Sequence, residues 1–253
     1  MIDLHTHLIP GVDDGSHTVE QSVEVLQRFA AEGLTAVCCT PHLKASALAS
    51  APCDDMDALL GDLVDAAPPR PALRRGFEVM LDVPDPPFTD RCCCLAGTRY
   101  VLVEFGRLVP ADASVEVLSR IVARGLIPVL AHPERYSVCT PELARRWQRT
   151  GVVLQVDATT LLADSRRAGR ARALLEGGCA AIMASDNHGD SRSVKVAVEW
   201  LESHGGGAQA ELLAIDNPQA ILDDEPVRPV PPFRLRRSLY TKFKDFLVGG
   251  AEA

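Results

Sequence analysis

The chain has 253 residues, a net charge of -8 and a pI of about 5.4, so no broad basic footprint for nucleic acid is expected. Charged residues make up 24% of it and apolar ones 47%, which excludes a disordered chain and leaves enough apolar surface for one large α/β domain. No run approaches the roughly 18 apolar residues that would span a bilayer.

The chain opens Met1-Ile2-Asp3-Leu4-His5-Thr6-His7. No basic n-region or apolar h-region is present there, so a signal peptide is not expected. In an extended segment, side chains two apart share a face, and His5 and His7 can present two imidazoles to one ion. A Pro10-Gly11 turn follows, then Asp13 and Asp14 before Gly15. Imidazole with carboxylate suits zinc, manganese or iron. The eight cysteines are Cys38, Cys39, Cys53, Cys92, Cys93, Cys94, Cys139 and Cys179. They contain no C-x-x-C pair and read as reduced thiols of a cytoplasmic protein.

Ser16 or Thr18 can cap a helix running to about Glu32, where Gly33 stops it. An apolar strand over 34–40 leads into Pro41-His42. A weaker helix is expected over 54–66, and a strand over 72–79 carries Glu78. Residues 82–95 are Pro-rich and irregular. A strand over 100–105 bears Glu104 near its end, and a helix over 113–124 closes at Gly125. Strand 127–131 leads into His132-Pro133-Glu134-Arg135-Tyr136, helix 140–149 follows, and then strand 152–157. Helix 166–176 closes at Gly177-Gly178, and strand 180–184 leads into Ser185-Asp186-Asn187-His188. Helices near 192–203 and 208–214, a Pro-rich link at 225–233 and an amphipathic helix near 236–247 complete the chain.

About seven strands, nearly all alternating with helices and mostly continuous apolar runs, suggest parallel strands buried on both faces in a closed or nearly closed β/α barrel. In such barrels the chemistry sits at the C-terminal ends of the strands. His5 and His7, His42, Glu78, Glu104, His132, and Asp186 with His188 all fall at those ends. Each alone has a plainer reading: His132 before Pro133 suits a hydrogen-bonded strand end, and Glu78 or Glu104 could pair with an arginine. Six strands delivering metal-type ligands to one face are hard to explain as packing. Asp13 reads as a turn or supporting residue, His17 and His204 as solvated, and Tyr136 and Phe105 as packing. Cys93 to Arg99 has the C-x5-R spacing of cysteine-dependent phosphatases, but Arg99 runs straight into a strand, where that chemistry needs a helix N-terminus.

Taken in order, HTH, DDG, TPH, Glu78, VEF, HPERY and SDNH resemble the polymerase and histidinol phosphatase (PHP) superfamily. The segments MIDLHTHLIPGVDDG, LAGTRYVLVEF, HPERY and LQVDATTLL are similar to the bacterial manganese-dependent protein tyrosine phosphatases of capsule and exopolysaccharide operons. The resemblance covers most of residues 1–223. It implies an α/β fold, a distorted (β/α)7 barrel of PHP type, spanning 1–253 as a single domain. It also implies a trinuclear centre: a first metal on His5, His7, Glu78 and Asp186, a second on Glu78, Glu104 and His132, and a third on Asp14, His42 and His188. Manganese is implied, with iron or zinc as alternatives. Close-set metals would lower the pKa of a bridging water and give a hydroxide nucleophile for phosphomonoester hydrolysis. Arg135, and then Arg192, are candidates to clamp the phosphate. The expected substrate is a phosphotyrosine protein, such as a bacterial tyrosine kinase, and some relatives assemble into homo-oligomers. The alternatives are a small-molecule phosphatase acting on histidinol phosphate or a sugar phosphate, and a non-catalytic PHP scaffold. The family usually carries a longer aromatic stretch where this chain has Leu43-Lys44-Ala45-Ser46-Ala47-Leu48 after His42.

Overall fold

Short apolar runs form the strands, and the amphipathic stretches between them form the helices. The computed structural model describes residues 1–89 and 91–236. Among these, β1 (Ile2–Thr6), β2 (Ala36–Cys39) and β4 (Ala72–Arg75) form a parallel sheet in the order β1-β2-β4. A second parallel sheet runs β3 (His42–Lys44), β5 (Glu78–Met80), β6 (Tyr100–Glu104), β7 (Ile127–Ala131), β8 (Val153–Asp157) and β9 (Ile182–Ala184). The fold is therefore α/β with parallel strands, but the described residues make two sheets and no closed ring.

The reason lies at Pro41 and Gly76. Proline offers no N–H to a ladder, so β2 ends before Pro41 and β3 starts after it. At Gly76 a Cβ would come within 2.8 Å of the Leu95 side chain, so the backbone passes close under Leu95. There the single strand expected over 72–79 splits into β4 and β5. The two chain segments still cross the break side by side: Gly76 N–H donates to Cys39 C=O at 3.0 Å, and Glu78 N–H to Pro41 C=O at 3.1 Å. Glu78 and His42 thus open their strands instead of ending them, and they face each other in register. At the far side β9 meets β1 through Asp186 N–H to His5 C=O (3.0 Å) and His7 N–H to Asn187 C=O (2.7 Å).

The helices follow the sequence closely. Thr18 caps α1 (Val19–Ala31), Thr140 caps α4 (Pro141–Arg149), Ser165 caps α5 (Arg166–Glu176) and Ser193 caps α6 (Val194–Ser203). Each such cap contributes about 1 kcal/mol. Helices α2 (Cys53–Ala66) and α3 (Ala111–Ala123) cover β4 and β7. The expected helix near 208–214 becomes α7 (Gly207–Glu211), a π turn (Leu212–Asp216) and α8 (Asn217–Leu222). The helix expected near 236–247 lies outside the described residues. No described helix is long and apolar enough to cross a membrane.

Trp147, fully buried, donates from Nε1 to Ser114 Oγ at 2.9 Å and ties α4 to α3. Tyr136 is buried and packs edge-on against Phe105, as expected of both. Its hydroxyl also accepts from Phe105 N–H at 3.0 Å and donates to Ala131 C=O at 3.1 Å, so it fixes the turn that carries His132 and Arg135. One expectation fails: not all the cysteines are reduced. Cys53, at the start of α2, is disulfide-bonded to Cys92, with the Cα atoms 6.2 Å apart. The fold, not local spacing, brings the two together.

Candidate metal centre

The opening strand places the first two candidate ligands. His5 and His7 are both fully buried and alternate with Thr6, so their rings share a side. Two polar neighbours orient them. His5 Nδ1 donates to Gln155 Oε1 at 3.0 Å, and His7 Nδ1 to Asp13 Oδ2 at 2.7 Å. Both Nε2 atoms are thereby turned to the same point, 3.2 Å apart. The turn that brings Asp13 back requires Gly15: a Cβ there would sit 2.1 Å from His7 C=O.

Around those two nitrogens the carboxylates converge. Glu78 Oε2 lies 3.2 Å from His5 Nε2 and 3.4 Å from His7 Nε2; Asp186 Oδ1 lies 3.3 and 3.4 Å from the same atoms. Donors sharing one ion through bonds of about 2.1 Å sit roughly 3.4 Å apart, so the spacing suits a bound divalent cation. A second corner holds Glu78, Glu104 and His42, with His132 Nε2 at 2.8 Å from Glu78 Oε1 and 4.0 Å from Glu104 Oε2. A third holds Asp14, His42 and His188: Asp14 Oδ1 is 3.3 Å from His42 Nε2 and 3.4 Å from His188 Nε2, and His7 stacks on the His188 ring. All nine expected positions come together. The grouping differs from the expected one in that His42 reaches into the second corner and His7 borders the third.

The electrostatics call for cations. Burial favours the neutral form of Glu78, yet the imidazoles of His5, His132 and His42 hold it well below the usual carboxylate range. Burial likewise opposes ionised Asp186, and His5, His7 and Arg135 outweigh it. Glu104 has less help: burial and then the charge of Glu78 push it up to about 7. Burial works against charged His5 and His7 too, but their carboxylates raise both. His132 goes the other way, lowered by burial, and its buried Nδ1 has no partner among the described residues. Carboxylate and imidazole donors packed this closely are the donor set that a divalent cation takes. Two candidate ligand residues, His132 (φ 33°) and Asp186 (φ 51°), hold left-handed backbone, a costly conformation for a residue other than glycine.

Arg135 donates from Nη2 to Asp157 Oδ2 at 3.0 Å and also to Asp186 Oδ2. Arg192 Nη1 stands 3.4 Å from the same Asp186 oxygen and its Nε 2.8 Å from Asp190 Oδ2. Both guanidiniums thus edge the ligand cluster, where a phosphate could be held. Cys93 and Arg99 do not join it. Cys93 is buried in the apolar core, and Arg99 Nε pairs with Asp224 Oδ1 at 3.1 Å.

The sequence reading missed two supports. Asp3 is fully buried and accepts from Ser185 N–H at 3.1 Å and His5 N–H at 3.3 Å, which joins β1 to the turn bearing Asp186. Gln155 is fully buried in β8 and orients His5. A signal existed for both: each is a lone polar residue inside an apolar strand, where an unpaired polar group is costly.

Known proteins share this arrangement of sequence. The tyrosine-protein phosphatase YwqE of Bacillus subtilis (strain 168) is 26% identical over 250 residues, covering 94% of this chain and 97% of that protein. The tyrosine-protein phosphatase CpsB of Streptococcus pneumoniae is 26% identical over 242 residues, covering 89% and 99%. A crystal structure from work on YwqE and CpsB, described as unique metal-dependent tyrosine phosphatases, superposes with a TM-score of 0.76 at 24% identity, covering 94% of this chain and all of that one, and so shares the fold. The family model for capsular polysaccharide synthesis, CpsB/CapC, matches residues 1–223, from the paired histidines of β1 past the last candidate ligand, His188. That span takes in every element of the site, and the chain belongs to the CpsB/CapC family.

Proposed function

We propose that this chain is a metal-dependent protein tyrosine phosphatase acting in capsule or exopolysaccharide regulation. The observation that carries the reading is the convergence of five histidines and four carboxylates on one cluster, buried at His5, His7, Glu78, His132 and Asp186, open at Asp14 and His42, and edged by Arg135 and Arg192. Relatives across the whole family span bear the name tyrosine-protein phosphatase. The two sheets are read as arcs of a distorted seven-stranded PHP-type barrel, in which β2 with β3 and β4 with β5 each count as one interrupted strand. The chain is read as one domain over 1–253.

His5, His7, Glu78 and Asp186 would hold one divalent ion, Glu78, Glu104 and His132 a second, and Asp14, His42 and His188 a third, with manganese the proposed metal. Such ions supply positive charge against phosphoryl oxygens and acidify water near neutral pH. Four carboxylates against three divalent ions leave the site cationic, ready for a phosphate dianion. Asp13 and Gln155 keep the His7 and His5 rings turned to their task. Arg135 presents a fork of donors at the edge of the site, pre-set by Asp157, and Arg192 flanks it. The substrate would be a phosphotyrosine protein, such as a tyrosine kinase of the same pathway.

The test is metal content and hydrolysis on one purified sample, against a phosphotyrosine peptide, histidinol phosphate and phenyl phosphate, with and without Mn2+. The expected result is turnover that EDTA abolishes and Mn2+ restores, with the peptide preferred. Unchanged turnover after full metal removal would reject the mechanism, and preference for histidinol phosphate would move the substrate.

A further inference from the structure

Beside the ligand cluster the parallel register sets up a second row of side chains. His42 pairs with Glu78, and two residues further along the same strands Lys44 pairs with Met80, and Met80 with Glu104. Residues two apart on a strand share a face. The row Lys44–Met80–Glu104 therefore lies on the same side as the ligands His42 and Glu78, one step outward. Glu104 stands in this outer row and is also one of the candidate ligands. An open recess of about 410 Å3 is lined by His42, Leu43, Lys44, Met80 and Glu104. Its wall changes character over one step: ionisable at His42 and Glu104, apolar at Leu43 and Met80. Leu43 and Met80 are half-buried and keep part of their apolar surface uncovered, while Lys44 is exposed at the rim.

We propose that this recess is the subsite for the aromatic ring of the substrate, making Met80 and Leu43 the residues that select aryl over alkyl phosphates. It rests on the phosphatase reading above. The recess adjoins the candidate ligand cluster through His42 and Glu104, so a phosphate held at that cluster has this recess beside it to take the group beyond its ester oxygen. A phenyl ring there covers Met80 and Leu43 and places its face within reach of the Lys44 ammonium, an arrangement suited to a cation over a π system. A short alkyl or sugar ester leaves the apolar wall wet.

Met80→Trp fills the recess and Met80→Ala empties it. The Mn2+-loaded parent and variants would be compared on phenyl phosphate and ethyl phosphate, and by inhibition with phenylphosphonate and inorganic phosphate. In Met80→Trp the ratio of kcat/KM for phenyl to ethyl phosphate is expected to fall about tenfold, the scale set by a misfitted apolar pocket. Phenylphosphonate should weaken by about the same factor, while inorganic phosphate, which has no ring, stays within about twofold. If Met80→Trp fails to fold, Met80→Ala carries the test, with an expected fall of about threefold. Equal losses on both esters, or a ratio unmoved in either folded variant, would overturn the proposal. If the loaded parent hydrolyses neither ester, the phosphatase reading fails, and direct binding of phenylphosphonate against inorganic phosphate to parent and Met80→Trp, read by calorimetry, still decides the recess.

Discussion

Arg135 donates through Nη2 to the outer oxygen of Asp186, whose inner oxygen lies 3.3 Å from His5 Nε2 and 3.4 Å from His7 Nε2. One carboxylate thus joins the candidate phosphate clamp to the candidate metal ligands. Arg135→Ala removes the clamp but leaves His5, His7, Glu78 and Asp186 in place. It is expected to lower kcat/KM by about a hundredfold, as when a donor aimed at developing charge is lost. Metal content, measured on the same sample by elemental analysis, should match the parent. Parental kinetics would reject the role.

Gln155 should matter for affinity, although it is no ligand. It gives the buried Nδ1–H of His5 an acceptor at 3.0 Å. Gln155→Leu leaves that donor without its partner and frees the ring to turn. Metal affinity, read by competition with a chromophoric chelator, is expected to fall about 10- to 100-fold. Gln155→Glu keeps an acceptor and should recover most of it. Equal affinities in parent and Gln155→Leu would show that packing alone sets the ring.

Cys93→Ala should leave hydrolysis of phenyl phosphate within about twofold of the parent, because Cys93 lies in the apolar core and not among the candidate ligands around His5 and His7. The residue is buried in the apolar core, and Arg99 leads into β6 with its guanidinium on Asp224. Loss of turnover at normal metal content would revive a cysteine mechanism.

Glu134 predicts a pH effect on stability. It is fully buried, accepts Asp157 N–H through Oε1 at 2.8 Å, and has no partner at Oε2 among the described residues. Burial, and then the charge of Asp157, push its carboxyl up to about 8. An acid with a raised folded-state pKa contributes stability that is full below its unfolded value and is lost as pH rises through the folded one. The parent should therefore lose stability between about pH 5 and pH 8 at this site. Glu134→Gln, neutral throughout, should gain in melting temperature relative to the parent on going from pH 6 to pH 9 at matched metal content. A constant difference between the two proteins across that range would contradict it.

Much of this site could be read from the chain alone, for a local reason. His5 and His7, His132, and Asp186 with His188 follow apolar strands directly, and parallel strands deliver their ends to one face. What escaped notice was non-local. Glu78 was expected near a strand end, but the break beneath it depends on Leu95 crowding Gly76 from 19 positions away in sequence and on Pro41 opposite. The Cys53–Cys92 bond spans 39 residues and exists because α2 and the Pro-rich segment lie together. Gln155 and Asp3 were visible only as polar interruptions, and their partners are set by tertiary contact.

The candidate ligands are divided between the two sheets: His5 and His7 belong to the strand β1 and its exit, while Glu78, Glu104, His132 and Asp186 come from the other sheet and its loops. Where β1 meets the loop after β9, a few backbone hydrogen bonds cross in place of a full ladder. Ions at this point would act as rivets through a seam. The catalytic charge and the mechanical closure of the protein then reside in the same atoms, so starving a cell of the metal would loosen the architecture together with the chemistry.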